Sequence, residues 1–171
     1  TIDIENTVQE VRSNQPKWAS LTVDERADIL REWANVVSKS SDLLDALVTD
    51  TGRYFIATAE IENLAKSIEG WHMIGRQVFA EQEPIQSSHP SVIYSHQYKP
   101  FEVVGIVGPW NFPFLISLID LLPALMAGSA AITKPSEITP RFIKPLQETL
   151  EQVPELHAVC RYIEGDGQTG Q

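Results

Sequence analysis

Cysteine is nearly missing from this sequence: Cys160 is the single one among 171 residues. That excludes an internal disulfide framework and makes a reducing, cytoplasmic setting the expectation. With one cysteine, and with His72, His89, His96 and His157 scattered without ligand spacing, no tetrahedral metal site assembles from neighbours. Positive charge is scarce too, 13 Lys and Arg against 23 Asp and Glu, for a formal charge of −10 and a pI near 4.8. Binding a phosphate backbone requires clustered cations that displace counterions, so nucleic acid is not an expected partner. The same charge keeps the chain apart from anionic membranes. No amino-terminal segment joins basic residues to an apolar run, so no secretory signal is visible; an initiator methionine, an internal repeat and a low-complexity tract are also missing.

What is present suits a globular protein: 43% hydrophobic and 21% charged residues can bury a sizeable core. Ile4, Val8 and Val11 recur at helical spacing before Pro16. Thr22-Val23-Asp24-Glu25 has the form of a capping box, and Ala27, Leu30, Ala34 and Val37 mark one face of the helix it opens. Ser41 is expected to cap another helix, with Leu43, Leu44, Leu47 and Val48 apolar, that stops around Thr51-Gly52, and a further one runs through Ile61, Leu64, Ile68 and Trp71. Successive amphipathic helices must bury their stripes together, so residues 1–82 read as an N-terminal helical layer. Residues 83–100 read as a linker, with Pro84, Ser87, Ser88 and Pro90, leading into a bridging strand where Val92, Tyr94, His96 and Tyr98 alternate with Ile93, Ser95, Gln97 and Lys99.

From Phe101 the pattern becomes strand (102–107), helix (113–127), strand (130–134), helix (139–152) and strand (159–164). This βαβαβ order predicts an α/β protein whose residues 101–171 form the first half of a doubly wound parallel nucleotide-binding sheet, with apolar strands covered on both faces. The apolar run from Phe112 to Ile132 reaches the length of a membrane span, but Asp120, Pro123 and Gly128 divide it into a soluble core helix and the next strand.

The centre of the chain is Val103-Val104-Gly105-Ile106-Val107-Gly108-Pro109-Trp110-Asn111-Phe112-Pro113, where a β-branched run breaks into a sharp loop before a buried helix. A loop at a strand's carboxyl end is where open α/β sheets bind ligands, and an Asn amide there can aim its N–H groups into the crevice. By the residues alone, the plainer reading is an asparagine that satisfies its own turn. Lys134, ending the next strand, can reach a ligand with its ammonium or be a solvated loop lysine. Gly165-Asp166-Gly167-Gln168-Thr169-Gly170 spells G-x-G-x-x-G after the third strand rather than the first, a weak signal that equally fits plain turn glycines. Cys160, inside a strand, reads as a small core residue.

Pro109-Trp110-Asn111-Phe112-Pro113, followed by Thr133-Lys134-Pro135-Ser136-Glu137, resembles the aldehyde dehydrogenase superfamily. Trp18, Arg26, Asp50-Thr51-Gly52-Arg53 and the stretch from Pro100 to Pro113 extend the likeness over the family's N-terminal portion. The resemblance implies NAD(P)-dependent oxidation of an aldehyde to a carboxylic acid through a cysteine thiohemiacetal and thioester, in a homo-oligomeric parent. It implies that Asn111 is the side-chain donor to the oxyanion. It gives Lys134, Ser136 and Glu137 to the adenosine ribose, the backbone at Ile106, Val107, Pro109 and Trp110 to the nucleotide, and Gly167 and Gly170 to a turn facing the adenine. NAD is the expected cofactor, with NADP admitted. The family's nucleophile and general base lie beyond these residues, so the chain is expected to be part of a longer polypeptide and inactive alone. Two other readings stay open: a non-enzymatic folding or binding module derived from the family, and an unrelated Rossmann-type dehydrogenase, disfavoured by the helical prelude.

Overall fold

The computed structural model describes residues 3–80 and 84–170. Four helices come first: α1 (Ile4–Ala19), α2 (Val23–Val37), α3 (Ser41–Thr51) and α4 (Tyr54–Val78). The short strands β1 (Ile85–Gln86) and β2 (Ile93–Tyr94) follow, and then β3 (Val103–Val107), α5 (Leu115–Ala127), β4 (Ala130–Lys134), α6 (Ile143–Glu151), α7 (Pro154–His157) and β5 (Cys160–Tyr162). The three long-range strands form one parallel sheet in the order β3-β4-β5, with Val107 opposite Lys134 and Thr133 opposite Tyr162. A helical layer followed by the start of a parallel nucleotide-binding sheet is the architecture the patterns predicted.

Local chemistry explains most boundaries. Thr22 accepts from the amide of Glu25 while the Glu25 carboxylate returns to the amide of Thr22 at 2.7 Å, closing the capping box that starts α2. Gly128 ends α5 with φ of 99°, a left-handed conformation in which a side chain would be strained.

Several expectations are corrected. α1 does not stop before Pro16 but runs on to Ala19; Pro16 and Arg12, whose carbonyl loses its helical partner, are both exposed. The strand expected over 92–99 shrinks to two residues pairing antiparallel with Ile85 and Gln86, because its alternation has no covered face: Val92, Ile93, Tyr94 and Tyr98 are all exposed. The helix expected from 139 begins at Ile143, since the Thr139 hydroxyl bonds elsewhere, and α7 is an unforeseen extra turn with Pro154 at its start. The expected boundary at 82/83 falls outside the described residues.

α5 lies at the centre of the packing. Leu118, Leu121, Leu122 and Leu125 are fully or almost fully buried, and Phe114 meets Trp33 edge to face at 6.4 Å. Among the described residues, no helix is long and apolar enough to cross a membrane. The C-terminal carbonyls of α5 are taken by the helical layer: Gln15 Nε2 donates to Gly128 O, Trp18 Nε1 to Leu125 O and Arg26 Nε to Met126 O, each at 2.9 Å. Trp18 and Arg26 are therefore caps delivered to the last turn of a helix about a hundred residues away, where a cation also complements the helix dipole. β4 is buried along its whole length, whereas β3 is an edge strand with Gly105 and Val107 exposed. The expectation of strands covered on both faces holds for β4 and fails for β3.

Candidate functional site

The loops that follow β3, β4 and β5 leave the same end of the parallel sheet, and backbone bonds hold their roots in register. Gly108 N donates to Lys134 O at 3.0 Å, and Ile163 N to Thr133 O at 2.9 Å. Further out, the Thr139 hydroxyl donates to Trp110 O at 3.1 Å, joining the second loop to the first. Asp50, at the end of α3, accepts from Arg141 N at 2.8 Å and Arg141 Nη1 at 2.5 Å, so the second loop is also moored to the helical layer.

Asn111 sits half-buried in the first loop, and among the described residues its side-chain amide makes no hydrogen bond. Its backbone carbonyl accepts from Arg53 Nη2, and the Arg53 guanidinium lies 4.8 Å from the centre of the Phe112 ring. α5 begins without a side-chain cap from its own vicinity. Instead the Glu60 carboxylate on α4 accepts from Phe114 N at 3.1 Å and Leu115 N at 2.8 Å, both through Oε2, while Oε1 is buried without a partner among the described residues. Burial pushes the Glu60 carboxyl above the ordinary range, against the pull of the two amides and of Arg53. Among the described residues, the Asn111 amide makes no bond within its own turn.

Lys134 is no solvated loop lysine. It is 7% exposed, and its ammonium reaches Pro135 O at 3.1 Å and Glu137 Oε2 at 3.3 Å. The Glu137 carboxyl is held below its usual value by its own amide and by Lys134. The Ser136 hydroxyl accepts from Ile138 N at 3.2 Å and so belongs to the turn itself. Val107, Trp110 and Ile138 are exposed apolar groups at this end of the sheet, whereas the Ile106 side chain is in the core and offers only backbone. Pro109 is half-buried.

The glycine-rich turn is organised by Asp166, whose Oδ1 accepts from Gln168 N at 3.0 Å and Thr169 N at 3.2 Å. Gly170 lies against the Lys134 stem, a Cβ there standing 3.4 Å from Lys134 Cδ, so the third loop joins the other two at that lysine. Gly167 has open space around it. Gly165, not among the expected cofactor residues, is the sterically required one, since a Cβ there would come within 2.3 Å of Thr169.

The residues that sequence reasoning assigned no part in the site are Arg53, Glu60 and Ile138. Arg53 stood in a motif already noted; Glu60 falls on the buried stripe of α4 with Ala57, Leu64 and Ile68, and a carboxylate at a stripe position was the available signal. Cys160 is fully buried, and burial pushes its thiol up to about 12, so it is a core residue rather than a nucleophile. A cavity of about 520 Å³ lies among α1, α2 and α7 and is lined by no residue of the three loops.

This geometry defines a class first: the opening half of a nucleotide-binding α/β domain with its ligand loops at the carboxyl ends of the strands. The sequence profile of the aldehyde dehydrogenase family matches residues 1–171, and the chain belongs to that family. The PutA protein of Anabaena variabilis, assigned as an aldehyde dehydrogenase, is 38% identical with a TM-score of 0.91, over 96% of this chain and 35% of that one. A Burkholderia cenocepacia protein assigned likewise is 25% identical with a TM-score of 0.84, over 97% and 34%. An aldehyde dehydrogenase from Brucella melitensis shares the fold at 24% identity and a TM-score of 0.82, over 95% and 35%. The chain thus spans about a third of the length of these solved relatives.

Proposed function

We propose that this chain contributes the oxyanion donor and the adenosine-ribose contacts of an NAD(P)-dependent aldehyde dehydrogenase that oxidises an aldehyde to a carboxylic acid. The observation that carries the reading is the free side-chain amide of Asn111, in a loop whose neighbouring helix amides are served by Glu60 instead. When a thiolate adds to an aldehyde carbon, the carbonyl oxygen takes on negative charge, and an amide donor already fixed in place stabilises it without reorganisation. The residues present also fit a nucleoside: Lys134 donates, Glu137 accepts, and vicinal hydroxyls can exchange for their mutual ion pair while Val107, Trp110 and Ile138 offer apolar surface. The nicotinamide cofactor, when bound, accepts the hydride. Cys160 supplies no nucleophile, so the 171-residue chain alone oxidises no aldehyde, and turnover belongs to the family-length polypeptide.

In that polypeptide, Asn111→Ala is expected to lower kcat by about a hundredfold or more and to leave the cofactor Kd nearly unchanged, because the donor acts on charge that develops in the transition state. Weakened cofactor binding with full turnover would make Asn111 a structural or cofactor residue and sink the reading.

A further inference from the structure

A helix leaves its first amides without partners, and a nearby Asn, Asp, Ser or Thr most often satisfies them. Asn111, three residues before Phe114, is the right type in the right neighbourhood, yet it is not used. The cap comes from Glu60, 54 and 55 residues earlier than the amides it serves. Arg53 is the residue just before α4, seven residues ahead of Glu60 and about two helical turns away. The start of α4 and the residue before it therefore present a carboxylate to the amides just beyond the loop and a guanidinium to the Asn111 carbonyl.

Packing alone does not call for this carboxylate. Glu60 is 1% exposed with one oxygen unpartnered among the described residues, a costly way to fill a position on a stripe that includes Ala57, Leu64 and Ile68. An apolar residue there would leave two helix amides bare, three and four residues after Asn111, whose side chain is of a capping type.

We propose that Glu60 and Arg53 are positioning residues for Asn111, gripping its loop from both ends so that the side-chain amide is kept out of the helix cap and held toward the crevice. The catalytic consequence rests on the reading of Asn111 given above; the clamp itself is a property of this chain.

Two experiments test it. In the 171-residue chain, NMR of Glu60→Ala should show the Phe114 and Leu115 amide protons losing the downfield shift of a carboxylate partner, and the Asn111 side-chain NH₂ signals moving as that group takes over the cap. Arg53→Met should move the same Asn111 signals by less. Asn111 side-chain signals unmoved in both variants would overturn the clamp. In the family-length enzyme, Glu60→Ala should lower kcat roughly tenfold to a hundredfold, the range for a reacting group misplaced by about 1 Å, without moving the cofactor Kd. In an Asn111→Ala background the same change should cost nothing further in kcat, while its effect on Tm persists. Additive losses in kcat would show that Glu60 acts through some other group. Leu64→Ala on the same helix, matched in Tm loss, should keep kcat and so separates positioning from destabilisation. Should Asn111→Ala itself leave kcat intact, the oxyanion reading falls and the NMR result alone decides the clamp. Should Glu60→Ala fail to fold, Glu60→Met, which keeps most of the volume but removes the acceptor, and Arg53→Met carry both arms.

Discussion

The two ends of α5 are both capped by side chains from the helical layer, and they are finished differently. At the C-terminal end Gln15, Trp18 and Arg26 occupy three carbonyls, and Arg26 also donates to Leu21 O. At the N-terminal end one carboxylate oxygen serves two amides, and among the described residues its twin has no partner and the Asn111 amide makes no hydrogen bond. The first end is sealed and the second is left with spare hydrogen-bonding capacity. Because the sheet is parallel, the second end lies with the loops after β3, β4 and β5, where ligands of such sheets bind. The contrast separates residues that hold the fold together from residues whose polar groups are held ready.

If that division is right, the largest effects on stability come from the sealed end. Arg26→Met should cost about 3 kcal/mol or more, since it bares several buried carbonyls at once, each worth roughly 1–3 kcal/mol when left unpaired. Urea unfolding of the 171-residue chain measures this directly. A loss below about 1 kcal/mol would mean that water reaches those carbonyls and that the end is not sealed. Trp18→Phe keeps most of the packing and removes only the donor to Leu125 O, so a smaller loss of about 1–2 kcal/mol is expected in the same experiment.

Glu60→Gln sharpens the comparison through the sign of its effect. The folded state holds the Glu60 carboxyl above its unfolded value, so the contribution of this group is present at low pH and is lost as pH rises through the folded pKa. Removing the charge should therefore leave stability at pH 7 unchanged or slightly higher, the reverse of Arg26→Met. The difference between the two chains should vanish at pH values below the ordinary glutamate range. A clear destabilisation at pH 7 by Glu60→Gln would show that the open end is held as firmly as the sealed one.

How much of this was legible follows from the range of each interaction. The capping box at Thr22 and Glu25, the βαβαβ order and the ends of β4 rest on contacts within a few residues or on apolar runs, and both are visible as local pattern. Asn111 and Lys134 were visible as motif members, but whether Asn111 was free or engaged in its own turn depended on Glu60, 51 residues away, and no periodicity carries that information. Glu60 was assigned no role from the sequence, although it sits three residues after Ala57 and four before Leu64, on the inner stripe. The exposed β2 marks the opposite failure: alternation over 92–99 is a statement about a face to be buried, and no neighbour among the described residues covers it.

The smallest expected effect tests the open end where it is most exposed. Lys134 Nζ and Glu137 Oε2 are 3.3 Å apart, the first buried and the second in water, so the carboxylate can turn to a ribose hydroxyl at little cost. A 2′-phosphate would set roughly two negative charges against that carboxylate. Lys134 pulls the other way, because its ammonium can pair with the phosphate. A net preference for NAD over NADP would then be set by a difference between these two opposing charge contacts. Glu137→Gln in the family-length enzyme should shift the ratio of kcat/KM for the two cofactors toward NADP by roughly two- to fivefold, what one solvent-exposed charge pair is worth. The shift should shrink at high salt, since screening acts on exposed charges first. Urea unfolding should be insensitive to the same change, because the partner it removes from Lys134 is replaced by water and by Pro135 O, which already accepts from the ammonium at 3.1 Å. An unchanged cofactor ratio would mean that Glu137 faces away from the ribose, and a loss of stability would mean that the ion pair belongs to the structural side of the division rather than to the side held ready.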